Sequence, residues 1–317
     1  MKSQWSDKAY HTWNHCLRAR FGEKVAKISL DAGFSCPNRD SRGRGGCIYC
    51  SPRGSGDCAG ARELPIDRQF STIVQRMQRK WPGVRKFIAY FQAYTNTHAD
   101  PEYLAALYKT ALAQPGVVGL SISTRPDCLP TPVMDLLDEL NRKTWLWVEL
   151  GLQTIHDRTL QLIRRGHDYA SFLQAVDALR ARNIRVCPHI ILGLPGETRA
   201  MMRETANALA ALPIQGLKLH MLHVVKDTEL AHMWSRGEIC LLDRGQYVET
   251  VVDVLERMPP DVVVQRLTGD APREILLAPP WICRKWEVLQ AIDREFSRRQ
   301  TWQGRLWQSQ QGGGSAE

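Results

Sequence analysis

Residues 36–50 read Cys36-Pro37-Asn38-Arg39-Asp40-Ser41-Arg42-Gly43-Arg44-Gly45-Gly46-Cys47-Ile48-Tyr49-Cys50, a C-x10-C-x2-C spacing. Between the first two cysteines there is almost nothing apolar, so the segment has no hydrophobic face to bury and reads as a loop held by something other than packing. Just upstream, Lys24 to Leu30 alternates polar and apolar residues in the manner of a short strand. Three thiolates on a glycine-rich loop after a strand suit a metal centre. A structural zinc site, or an iron–sulfur cluster ligated only by protein, takes four ligands. Three cysteines would hold a 4Fe-4S cluster with one iron left open to a substrate or cosubstrate.

At Cys36, Cys47 and Cys50 the sequence resembles the radical S-adenosylmethionine superfamily, in which a three-cysteine loop follows the first strand of a barrel. The usual spacing there is C-x3-C-x2-C, and the first gap here is longer. The pattern GFSCPNRD…GRGGCIYC is more similar to a bacterial family related to the elongator catalytic subunit, the YhcC/YtqA-like group. The resemblance implies a 4Fe-4S cluster on Cys36, Cys47 and Cys50, with the open iron binding the amino and carboxylate groups of S-adenosylmethionine. It further implies reductive cleavage to methionine and a 5'-deoxyadenosyl radical that abstracts a substrate hydrogen. A reducing protein such as flavodoxin or ferredoxin is then a partner, and the protein's task is orientation and exclusion of water.

The chain's 317 residues suffice for one large α/β domain or two ordinary ones, and 44% hydrophobic with 24% charged residues is a normal globular composition. No stretch approaches a membrane-spanning length, and the N-terminus lacks an apolar signal core, so the expected location is cytoplasmic with no membrane partner. Nine cysteines in such a chain argue for thiols and metal ligation over a disulfide framework. A formal net charge of +9 favours a polyanion such as RNA, against the plainer reading of a solvated basic surface.

Along the chain, residues 4–23 carry Trp5, Tyr10, Trp13, Leu17 and Phe21 at roughly helical spacing, which predicts a capping helix. Strand-then-helix units follow, counted from Val25 to His223. Helices are expected over 65–81, 101–113, 131–142, 170–182, 198–211 and 283–299, with strands near 86–91, 117–122, 145–154, 184–192 and 217–223 and a strand and turn over 262–270. Six such units call for parallel strands and a partial (β/α)6 TIM-type barrel, open enough on one side to admit a large substrate. Expected segments are an N-terminal helical cap (1–23), the barrel (24–223), a C-terminal extension (224–307) and a disordered tail (308–317).

Polar groups at the carboxyl ends of barrel strands point into the active-site mouth. By that position Gln92, Thr95 and Asn96 are candidates for contacts to the cosubstrate, although the superfamily's Gly-Gly-Glu segment is missing there. Ser123 and Arg125 in Ser123-Thr124-Arg125-Pro126-Asp127 are candidates as well, with a structural ion pair as the competing role for Asp127. A glutamate inside the apolar strand 145–154 is costly unless paired, and Glu149 lies four residues from Gln153, which places both on the barrel interior. Gly193 and Gly196 stand where the superfamily approaches the adenine, and glycine permits a close backbone approach. His167, Arg266, Asp270 and Arg273 are further candidates, while Cys58 is read as a non-ligand. No catalytic residue is identifiable.

Kinship with the elongator subunit, the lack of a recognisable acyltransferase domain and the basic charge together suggest tRNA, at the carbon-5 side chain of a wobble uridine. Two alternatives stand beside this reading. One is a radical enzyme acting on a small molecule or cofactor precursor. The other is a non-catalytic iron–sulfur protein that binds RNA or senses redox state.

Overall fold

The computed structural model describes Trp5 and residues 7–307; the tail expected to be disordered, 308–317, lies outside the described residues. Nine strands occur among them: β1 Val25–Leu30, β2 Lys86–Phe91, β3 Val117–Thr124, β4 Trp145–Gln153, β5 Arg185–Leu192, β6 Gly216–Met221, β7 Val224–Val225, β8 Val263–Arg266 and β9 Leu276–Ala278. The first six and β8 form one sheet in the order β1-β2-β3-β4-β5-β6-β8, parallel throughout. It curls into a half-barrel whose two edges are β1 and β8. β7 and β9 make a separate antiparallel ribbon.

The expected strands and helices are present to within a residue or two, apart from the ends of the chain. A seventh parallel strand, β8, joins the six, because Val263 to Arg266 pairs with β6 rather than staying in an appended unit. The N-terminal helix is shorter than expected and runs Trp13–Phe21. Its start is set by Thr12, whose hydroxyl accepts from the His15 N–H at 3.1 Å. The backbone just before it is used otherwise, with Thr12 bridging to Val264 and the Val264 N–H donating to the His11 carbonyl. Helices Asp157–Leu162, Glu229–Ser235 and Arg244–Arg257 were not foreseen.

Strand alternation sorts the side chains into two environments. Ile28, Leu30, Ala89, Phe91, Leu120, Ile122, Val148 and Leu219 face outward into the core shared with the helices. The other face turns inward and is layered. At the bottom, Val25, Ile88, Trp145, Trp147, Cys187 and Val263 pack with Leu17 as an apolar plug, closed from below by Trp13 and Phe21. Trp13 stacks on Trp145 at 5.3 Å between centroids and meets Trp147 edge-on. Above the plug the next interior positions, Lys27, Tyr90, Glu149, His189 and Lys218, are polar. The mouth, at the carboxyl ends of the strands, carries the cysteine loop. Among the described residues no helix is long and apolar enough to cross a membrane.

Candidate active site

The loop after β1 is built by its own polar groups, as its composition requires. Asp40 Oδ1 accepts from the N–H groups of Arg42 and Arg44, each at 2.9 Å, and the Asp40 N–H returns a bond to the Arg44 carbonyl. Arg39 reaches across to the carbonyls of Ser51 at 2.7 Å and Cys50 at 3.2 Å. Gly46 adopts φ +91°, and a Cβ there would stand 3.0 Å from Arg39 Nε, so glycine serves both the turn and the close approach. Ile48 ties the loop to the barrel by donating to Ile163 and accepting from Leu230. Cys36, Cys47 and Cys50 thereby line one cavity.

The thiols are not equivalent. Burial pushes the Cys47 thiol up, but the Arg165 guanidinium outweighs it and holds the group below its ordinary range. Arg165 Nη1 lies 3.5 Å from Cys47 Sγ, and the Asn38 amide lies 3.6 Å from the same sulfur. Cys50 is pushed up to about 11 by burial and by its neighbour Cys47. Arg165 is itself oriented by the Gly151 carbonyl, which accepts from Nε at 3.1 Å. A side chain at Gly151 would collide with Arg165, since its Cβ would stand 2.4 Å from Nη2.

Below the thiols lies the polar layer centred on Glu149, which has no exposed surface. Lys218 and Lys27 form ion pairs with its two oxygens, His189 Nε2 approaches Oε2 at 2.8 Å, and Ser121 donates to Oε1. Burial works against the charged form, but the two ammonium groups win and hold the Glu149 carboxyl well below its ordinary range. The partners foreseen for Glu149 as a necessity are thus Lys27, Lys218 and His189, which the sequence reading did not name. All sit at interior strand positions where apolar residues would otherwise fill the barrel. That pattern was the available signal.

Of the residues proposed from sequence, Gln92, Thr95, Ser123, Arg125, Glu149 and Gln153 line the cysteine cavity, as do Arg266 and Asp270. Arg125 is committed: it grips Asp127 through Nε at 2.9 Å and Nη2 at 2.6 Å, and donates to the carbonyls of Arg165 and Gly166. Asn96 is fully buried behind the wall and donates to the Ser123 carbonyl at 2.8 Å. Gly193 and Gly196 are not among the lining residues; Gly193 packs on Leu242, to which a Cβ would come within 2.8 Å. His167, Arg273 and Cys58 are also outside the lining, with Cys58 at an adjoining opening.

The donor set fits a cluster with a bound cosubstrate. Among the described residues no three His, Cys, Asp or Glu side chains converge on a single metal ion. Three thiols spread around one cavity suit a group in which each takes a different iron. One polar atom of the lining, Thr95 Oγ1, is buried without a hydrogen-bond partner, which leaves it for a polar ligand, while the Tyr49 hydroxyl is directed at the Cys47 thiol.

The family model of the Radical SAM superfamily matches residues 36–209, and that of the Radical_SAM C-terminal domain matches residues 214–298. The chain belongs to the radical SAM superfamily. This radical SAM protein is 51% identical over 304 residues to the uncharacterized protein YtqA of Bacillus subtilis (strain 168), covering 96% of this chain and 94% of the other. It is 39% identical over 280 residues to protein YhcC of Escherichia coli (strain K12), covering 88% and 89%. A more distant relative is the tRNA uridine(34) acetyltransferase of Methanocaldococcus infernus, 28% identical over 163 residues, which are 50% of this chain and 30% of that protein. Among solved structures, the archaeal M. infernus Elp3 with an N-terminal deletion superposes with a TM-score of 0.67 at 18% identity, covering 88% of this chain and 64% of that one. That likeness establishes a shared fold.

Proposed function

We propose that this radical SAM enzyme modifies tRNA at the carbon-5 side chain of a wobble uridine. It would use a 4Fe-4S cluster held by Cys36, Cys47 and Cys50, S-adenosylmethionine as cosubstrate, and a cytoplasmic reducing protein such as flavodoxin or ferredoxin as electron source. When bound, the cluster and S-adenosylmethionine supply a one-electron cleavage that yields a hydrogen-abstracting radical. The chain's own residues do the rest. Arg165 and the Asn38 amide favour Cys47 as a thiolate, the form that ligates iron. Thr95 offers its unpaired hydroxyl to the cosubstrate, and the apolar plug under the polar layer keeps bulk water from entering through the barrel floor.

The observation that carries the choice of substrate is the sequence kinship with tRNA uridine(34) acetyltransferases over half of the chain. The net charge of +9 agrees with a polyanionic partner. The test is anaerobic cluster reconstitution followed by an assay for 5'-deoxyadenosine, with and without bulk tRNA from a strain lacking the gene. Product that rises with tRNA, accompanied by a mass change in one uridine nucleoside, supports the proposal. Product indifferent to tRNA refutes it and leaves a radical enzyme of small molecules.

A further inference from the structure

A side chamber adjoins the cysteine cavity along the seam between the two edge strands. Its walls include Lys27 and Ser29 of β1, Gln265 and Arg266 of β8, Lys218 of β6, and Trp13 from the N-terminal helix. Tyr90, Gln92, Asp57 and Asp270 border both spaces, so the two are contiguous. Because β1 and β8 are opposite ends of the sheet, the chamber is the place where the barrel fails to close.

Its walls carry acceptors in Asp57 and Asp270, but the buried side-chain atoms left without a partner are donors. Trp13 Nε1 and Gln265 Nε2 are both buried without a partner. The amide orientation of Gln265 is fixed by chemistry: its Oε1 lies 3.0 Å from Lys27 Nζ, and an ammonium can only donate. The group left over is therefore the amide N–H2. Lys27 spends two of its three protons, on Glu149 and Gln265, and Lys218 spends two, on Glu149 and on the Tyr90 hydroxyl at 3.1 Å. Each keeps one. Three cations, Lys27, Lys218 and Arg266, stand beside three carboxylates, Glu149, Asp270 and Asp57, the last accepting from Ser51 Oγ at 2.7 Å. Burial pulls Lys27 below its ordinary range and Glu149 only partly offsets this.

A hydroxyl or a nucleobase edge brings donors as well as acceptors and would leave some of these N–H groups facing N–H. A group of acceptor oxygens carrying negative charge meets all of them. We propose that the seam chamber is an oxyanion subsite, which takes a carboxylate or phosphate group of the substrate with Trp13 and Gln265 donating to its oxygens and Lys27 and Lys218 alongside. The subsite rests on the reading of the adjoining three-cysteine cavity as the place of reaction, and not on RNA being the substrate.

The test follows the indole N–H resonance of Trp13 in the full-length chain with its cluster loaded anaerobically, the resonance being assigned by its loss in Trp13→Phe. Acetate and inorganic phosphate are titrated separately, against chloride at matched ionic strength. A saturable movement with acetate identifies a carboxylate as the occupant, and one with phosphate identifies a phosphate. Gln265→Glu, which removes the donor and places a like charge in the chamber, weakens the effective anion about tenfold or more, and Gln265→Leu weakens it less. Movement no greater than with chloride means a chamber filled by water alone and overturns the proposal. So does equal affinity in a Gln265→Glu chain that melts like the parent. The titration requires neither RNA nor turnover. Saturable binding without tRNA-dependent product sinks the RNA reading and keeps the subsite, and the opposite pair of results does the reverse.

Discussion

Replacing Glu149 with glutamine tests whether the barrel interior is held by charge or merely tolerates it. The substitution keeps the shape, removes the carboxylate that Lys27 and Lys218 both contact, and leaves two ammonium groups close together in a largely buried layer. The new amide adds two donors where the surrounding lysines are already donors. Breaking a buried ion pair from one side costs roughly 3–5 kcal/mol, which for a chain of this size lowers the melting temperature by ~6–15 °C. Glu149→Gln combined with Lys218→Met removes one of the two uncompensated charges and recovers about 2 kcal/mol relative to the sum of the single changes. Urea unfolding of the four metal-free chains measures both quantities. A Glu149→Gln chain within about 1 kcal/mol of the parent, or strict additivity in the double variant, would refute the reasoning.

The same layer sets an acid limit. Burial and the neighbouring Lys218 hold His189 to about 4, below its ordinary 6.5. As pH falls below 6.5 the unfolded chain therefore binds a proton before the folded one does, and stability drops between 6.5 and about 4. Glu149 adds its share later. Its folded carboxyl titrates well below 4.5, so its stabilisation is complete above that pH and is lost only as pH falls through the lower value.

Single alanine substitutions at Cys36, Cys47 or Cys50 reduce the iron bound after reconstitution to background, whereas Cys58→Ala retains a full load; retained iron in any of the first three defeats the ligand assignment. Gly151→Ala drives a Cβ to within 2.4 Å of Arg165 Nη2 and displaces the cation beside Cys47. It costs roughly 1–3 kcal/mol and slows cluster loading, and a variant that matches the parent in both melting and loading rate disproves that role for Arg165. If RNA is the substrate, its affinity falls steeply and log-linearly with salt; a filter-binding series without such a slope speaks against it.

Much of the barrel was legible because its strands are short apolar runs ending in polar turns, and the helices between them carry apolar faces at helical spacing. The cysteine loop was legible for the opposite reason, being too polar to be held by packing. What escaped was the meaning of isolated charges inside strands. Lys27 within Val-Ala-Lys-Ile-Ser and Lys218 within Gly-Leu-Lys-Leu-His each read as one polar residue in an alternating pattern. Only the register, with His189 beside Lys218, brings them to one glutamate. Strand β8 was legible in Val262-Val263-Val264, but its place in the barrel sheet escaped because two helices before it interrupt the rhythm of the earlier units. Arg125 shows a different limit. Its position at a strand end was informative, but whether a guanidinium is free or spent on Asp127 depends on a turn two residues away.

An incompletely closed barrel has two borders, and parallel strands at a border present unpaired backbone groups that invite other chains. On β8 the alternation of N–H directions is used fully: Val263 donates inward to Gln215 before β6, and Val264 donates outward to His11. The segment before the first helix thus occupies the outer rim of β8 like a guard rail. It is fastened by Gln303, whose side-chain oxygen accepts from the His11 N–H at 2.9 Å. Removing residues 1–12 would leave every cysteine in place and uncover that rim, so the expected failure is self-association of a chain that still binds iron.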